Sequence, residues 1–119
     1  MKNHDSVLII DDEAEICFLL SSMLKKKQLK TSVANTLAEG YYKLNAEPGI
    51  LFLDINLPDG SGLDLLKKIR KEHPRLKIII ISAYDGESER NEATQNGADA
   101  FIGKPFNSEI VFQTINELI

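Results

Sequence analysis

A chain of 119 residues, 43% apolar and 27% charged, has the size of one ordinary domain with a real core, and its composition excludes a disordered segment. Its net charge of −4 gives no electrostatic footprint for nucleic acid, and direct nucleic-acid binding is not expected. A single cysteine, Cys17, excludes an intrachain disulfide, and His4 and His73 have no Cys or His neighbours at ligand spacing, which argues against structural zinc.

Residues 1–6 are polar and no apolar stretch is long enough for a signal peptide or a membrane span, so a cytoplasmic, reducing location is expected. The apolar run Val7-Leu8-Ile9-Ile10 reads as a strand covered on both faces, as in a parallel sheet. Beyond a crowd of acids, Asp11, Asp12, Glu13 and Glu15, the residues Ile16, Leu19, Leu20, Met23 and Leu24 recur at helical spacing. Residues 31–34 form a weaker second strand, and Thr36-Leu37-Ala38-Glu39 reads as a capping box opening a second helix. Ile50-Leu51-Phe52-Leu53 is a third strand, closed by Asp54 and a loop containing Pro58, Gly60 and Gly62. Leu63, Leu66 and Ile69 give a third helix one apolar stripe, and Pro74 marks its end.

The strongest strand signal is Ile78-Ile79-Ile80-Ile81. Residues 87–96 are polar but fit a fourth helix, with Gly97 suited to its C-terminal cap. Ala100-Phe101-Ile102 is a short fifth strand, and residues 108–119 form a last helix with Ile110, Val111, Ile115 and Leu118 inward. The runs Lys25-Lys26-Lys27 and Lys67-Lys68 fall on helices and read as solvated faces. The whole is α/β, a (βα)5 chain expected to form one domain over residues 1–119, and short connections between parallel strands favour a doubly wound sheet over a barrel.

Ligands of such sheets bind beyond the carboxyl ends of the strands. The polar residues there are Asp11 and Asp12, then Asp54, Ser82 and Lys104, supplied by four strands. Three gathered carboxylates repel one another and call for a cation, and an all-oxygen donor set points to Mg2+ ahead of Ca2+ or zinc, with Mn2+ as a substitute. Lys104 adds a positive charge and Ser82 a hydroxyl donor. A carboxylate nucleophile, a metal, an ammonium and a hydroxyl are the parts of a phosphoryl transfer to aspartate. Each residue has a plainer reading alone: Asp12 as a helix cap with Glu15 reaching back, Asp54 as a turn residue, Ser82 as a strand-end hydroxyl, Lys104 as a surface lysine. Four such coincidences at successive strand ends weigh less than one site.

The chain resembles the receiver domains of two-component response regulators. The resemblance rests on Asp11-Asp12 in Ile-Ile-Asp-Asp-Glu, on Asp54 in Leu-Phe-Leu-Asp-Ile-Asn-Leu-Pro-Asp-Gly, on Ser82-Ala83, and on Gly103-Lys104-Pro105-Phe106. It implies a three-layer, flavodoxin-like fold with strand order 2-1-3-4-5. By resemblance, Asp54 accepts the phosphoryl group; Asp12, Asp54 and the main-chain carbonyl of Asn56 bind Mg2+, with Asp11 acting through water; and Ser82 and Lys104 hold the phosphoryl oxygens. It also implies a cis peptide between Lys104 and Pro105, and a switch in which Ser82 moves toward the phosphoryl group while Phe101 turns inward. Serine stands where threonine is commoner in the family, so a less tightly coupled switch is expected.

The implied partners are a histidine kinase or phosphotransfer protein, a small phosphodonor such as acetyl phosphate, and a downstream effector protein or domain. The effector would meet the face of the fourth helix, fifth strand and fifth helix, including Tyr84 and Arg90. A homodimer is a further implied partner, although the last helix has no Lys or Arg for the charge pairing of some family dimers. Phe112 and Ile119 are either a partial second apolar stripe or singly exposed residues. Such a protein is not a turnover enzyme, and it is either a stand-alone receiver or part of a longer regulator. Three other readings compete with this one. An FMN-binding flavodoxin-like protein is disfavoured because Asp11 and Asp12 would repel its phosphate. An aspartate-nucleophile phosphatase would want an acid where Asn56 stands. A receiver that docks partners without phosphorylation is disfavoured by the complete set of site residues.

Overall fold

The alternation of apolar runs and helical stripes resolves into five strands and five helices. The computed structural model describes residues 3–119, with side chains described from Asp5 onward. The readings of His4 and of residues 1–6 therefore lie wholly or partly outside the described residues. In chain order the elements are β1 (Asn3–Ile10), α1 (Ala14–Lys25), β2 (Lys30–Ala34), α2 (Leu37–Lys43) with a 3-10 turn at Leu44–Ala46, and β3 (Pro48–Asp54). They continue with α3 (Gly62–Glu72), β4 (Lys77–Ser82), α4 (Glu87–Gln95), β5 (Ala100–Gly103) and α5 (Ser108–Leu118). The sheet runs β2-β1-β3-β4-β5, all parallel, which is the expected 2-1-3-4-5 order.

The two faces of the sheet are filled by alternate residues of each strand. Leu8, Ile10, Leu51, Leu53, Ile78 and Ile80 pack with Leu37, Leu66, Ile69 and Ala93 of α2, α3 and α4. Val7, Ile9, Ile50, Phe52, Ile79 and Ile81 pack with Leu20, Leu24, Val111 and Ile115 of α1 and α5. Both faces being covered explains why the central strands read as unbroken apolar runs. Burying each large aliphatic side chain is worth roughly 1.5–3 kcal/mol, so these two layers carry most of the driving force.

Three details differ from the sequence reading. In α1, Leu19 is exposed, and Cys17 lies among the buried residues instead. In α5, Ile110 is 40% exposed and Leu118 is only half-buried, whereas Thr114 is buried. A threonine can sit there because its hydroxyl donates to the Ile110 carbonyl at 2.7 Å, removing the cost of burying it unpaired. The loop after β3 also contains an unforeseen antiparallel pairing of Asn56–Leu57 with Gly60–Ser61.

Helix α2 begins as expected at Thr36, whose Oγ1 accepts from Glu39 N, but Glu39 reaches back to the N–H of Asn35 rather than to that of Thr36. Asp59 completes the cap from the loop after β3, accepting from Leu37 N at 2.9 Å and Ala38 N at 3.2 Å. Gly97 follows α4 with φ +112°, a conformation that favours glycine. Among the described residues no helix is long and apolar enough to cross a membrane.

Candidate functional site

Strand register alone assembles the site. Ile10 pairs with Leu53, Asp54 with Ile81, and Ser82 with Gly103. Asp11, Asp54, Ser82 and Lys104 therefore stand at or one step past the ends of adjacent strands, on one edge of the sheet.

Asp11 is fully buried. Its N–H donates to Ala34 O at 3.0 Å, and its carbonyl accepts from Asn35 Nδ2 at 3.0 Å and from Cys17 Sγ at 3.3 Å. Its Oδ1 accepts from Glu13 N at 2.8 Å. Its Oδ2 meets Lys104 Nζ as an ion pair at 2.9 Å and accepts no hydrogen bond. Asp54 is 4% exposed; its Oδ1 accepts from Asn56 N at 2.9 Å and its Oδ2 from Lys104 Nζ at 3.1 Å. Ser82 is fully buried, and its Oγ accepts from Tyr84 N at 3.0 Å and from Asn56 Nδ2 at 3.2 Å. The N–H of Lys104 donates to Ser82 O at 2.8 Å, and the Lys104–Pro105 peptide is cis.

Asp12 is exposed and does not cap α1; the cap position is Glu13, whose side chain makes no cap hydrogen bond. It bonds Lys104 Nζ instead, at 2.6 Å. Phe101 is half-buried against the α2/α3/α4 side of the sheet, and the Arg90 guanidinium lies 4.8 Å from its ring centroid. The sequence reading passed over the part played by Glu13, because only the fold brings positions 13 and 104 together.

The charges balance in a specific way. Burial pushes the Asp11 carboxyl above its ordinary range, opposed by the Glu13 N–H and by Lys104, while the Asp54 charge pushes it further up. Burial would lower the Lys104 ammonium, but the hydrogen bond it donates to Glu13, its ion pair with Asp11 and the charge of Asp54 outweigh it, and Lys104 stays firmly protonated. Ligand oxygens of Asp11, Asp12 and Asp54 all lie within 4.8 Å of one another. An all-oxygen set with one buried carboxylate oxygen lacking a hydrogen-bond donor suits a hard divalent cation such as Mg2+.

Comparison with known proteins agrees with this architecture. Residues 7–116 match the family model of the response regulator receiver domain, and the chain belongs to that family. It is 36% identical over 116 residues to the transcriptional regulatory protein YxdJ of Bacillus subtilis, covering 97% of this chain and 50% of that protein. It resembles the CheY-like receiver domain protein of Methanospirillum hungatei with a TM-score of 0.88 and 32% identity, over 94% of this chain and 90% of that one. The beryllofluoride-activated NtrC4 receiver domain dimer is similarly close, with a TM-score of 0.90 and 30% identity over 96% of this chain and 95% of that one. The chain spans about half or less of the curated relatives it matches.

Proposed function

We propose that this chain is a phosphorylation-dependent signalling switch whose acceptor is Asp54. The observation that carries this reading is the setting of the Asp54 carboxylate. One oxygen is fixed by the Asn56 N–H, the other meets Lys104 Nζ, and Asp11 and Asp12 lie close enough to share a cation. An Asp54 oxygen attacks the phosphorus of a phosphohistidine on a histidine kinase or phosphotransfer protein, or of acetyl phosphate. The new O–P bond forms as the P–N or P–O bond to the donor breaks, and imidazole or acetate leaves. Lys104 and the Ser82 hydroxyl then hold phosphoryl oxygens, which Asp54 alone would repel. Asp12, Asp54 and the main-chain carbonyl of Asn56 would hold Mg2+, with Asp11 behind a water, and the ion would neutralise charge on the transferring group. Water later cleaves the acyl phosphate, so the chain acts once per signal and is not a turnover enzyme.

Phosphorylation draws Ser82 inward, and Phe101 follows into the space behind it. The output face is then α4, β5 and α5, which engages an effector protein or domain. Homodimerisation is supported by the likeness to the NtrC4 receiver domain dimer. Residues 1–119 act as a single receiver unit in the cytoplasm. Incubation with acetyl phosphate and Mg2+ should add one phosphoryl mass, and Asp54→Asn should abolish it. Undiminished labelling of that variant would refute the assignment.

A further inference from the structure

We infer that Glu13 is an internal competitor for Lys104, occupying the ammonium until a phosphoryl oxygen displaces it. The inference rests on the proposed role of Asp54 and Lys104 and concerns a residue to which that reading gives no part.

Lys104 Nζ has three N–H donors and faces three carboxylates: Glu13 at 2.6 Å, Asp11 at 2.9 Å and Asp54 at 3.1 Å. Two of these donors are hydrogen-bonded, to Glu13 and Asp54, and Asp11 adds its charge, so an incoming phosphoryl oxygen competes with the carboxylates and binds best when one withdraws. Asp11 and Asp54 do not swing away, because their side chains are 0% and 5% exposed and are tied at Oδ1 to the backbone N–H groups of Glu13 and Asn56, and Asp54 is itself the group that would carry the phosphoryl. The Glu13 side chain is 58% exposed, and the bond to Lys104 is its contact within the site.

Its position in the fold supports the same reading. Glu13 is the cap residue of α1, yet its carboxylate leaves the helix N–H groups and turns to a lysine 91 residues away. Asp11 Oδ1 takes the Glu13 N–H, and the Glu13 carboxylate bonds none of the helix N–H groups, so its withdrawal from Lys104 would break no cap of α1. A solvent-facing carboxylate on a shielded ammonium is a removable partner, since water rehydrates it as it swings out.

The test uses the full chain with beryllofluoride and Mg2+ as a non-reacting phosphoryl stand-in, followed through the amide resonances of Asp54 and Ser82. Glu13→Gln and Glu13→Ala should bind it about 3- to 10-fold more tightly than the unaltered chain, equivalent to roughly 0.7–1.4 kcal/mol. Glu15→Gln makes the same change of charge two residues along on α1 and should stay within about twofold, which separates competition for Lys104 from a general loss of negative charge. Unfolding midpoints report that each variant is folded. Unchanged or weaker binding by both Glu13 variants, or an equal gain in Glu15→Gln, overturns the inference while leaving Asp54 as acceptor. Failure of the unaltered chain to bind beryllofluoride overturns both readings together.

Discussion

Arg70 and Asp99 stand 29 residues apart in the chain, and their side chains meet at 2.7 Å where α3 ends and β5 is about to begin. The same guanidinium donates to the carbonyls of His73, Pro74 and Leu76 through one nitrogen and to Gly97 O through Nε. Asp99 Oδ2 also accepts from Ile78 N. One cation thus gathers the end of α3, the turn into β4 and the turn after α4. Arg70→Ala would leave several carbonyls without their donor and should cost about 2–3 kcal/mol. Urea denaturation should show a lower midpoint with an unchanged slope. Arg70→Lys should recover little, because an ammonium cannot span the fork.

Lys104→Met should behave differently, because among the described residues it removes the only cation that meets Asp11, Glu13 and Asp54. Leaving buried carboxylates uncompensated should destabilise the chain by about 2–4 kcal/mol at neutral pH. Mg2+ should return more stability to this variant than to the unaltered protein, and so should a fall in pH, since protonation discharges the same acids. Thermal melts with and without Mg2+ across a pH series would check both, and equal responses of the two proteins would count against the charge argument.

Asp59 makes a pH-dependent contribution at the start of α2. The Leu37 N–H, with the Ala38 N–H after it, holds its carboxyl below the ordinary carboxylate range. A group depressed in the folded state stabilises at pH values above its unfolded pKa of about 3.9, and that contribution is lost as pH falls through the folded value. Asp59→Asn keeps an acceptor for the cap but has nothing to titrate. Melting temperature on the acid side should therefore fall more steeply for the unaltered chain than for the variant. Parallel curves would remove Asp59 from the account of acid sensitivity.

Cys17 is expected to be inert. Burial, with the charge of Asp11 adding to it, pushes its thiol up to about 11, and Sγ donates to the Asp11 carbonyl. Since the thiolate is the reactive form, a thiol reagent at pH 8 should modify Cys17 only in urea. Rapid labelling of the folded chain would mean that α1 opens at its first turn.

The central strands were readable because a strand covered on both faces has nowhere to put a polar residue, as in Ile78 to Ile81. The polar cluster at the sheet edge was readable for a related reason: side chains at four strand ends converge once register is set. Polar α4 was placed by its breaks, since only Ala93 of its residues is buried. What escaped were choices made by distant partners. Neither the turn of Glu13 toward Lys104 nor the reach of Asp59 to α2 leaves a local pattern, and the Arg70 clasp joins segments no window spans. The inward stripe of α5 was misjudged at Ile110 and Thr114 because hydropathy does not register a hydroxyl satisfied one turn back.

The hydroxyl of Ser82 has one further property. Both of its lone pairs are engaged, by Tyr84 N and Asn56 Nδ2, so the remaining valence is its proton. The oxygen is therefore polarised in one sense before any ligand arrives: it can give a hydrogen bond but has no capacity left to take one. Such a group discriminates by polarity, welcoming an oxyanion and turning away an ammonium or an amide N–H. The loop after β3, through Asn56, thereby sets the chemical sign of a residue on β4.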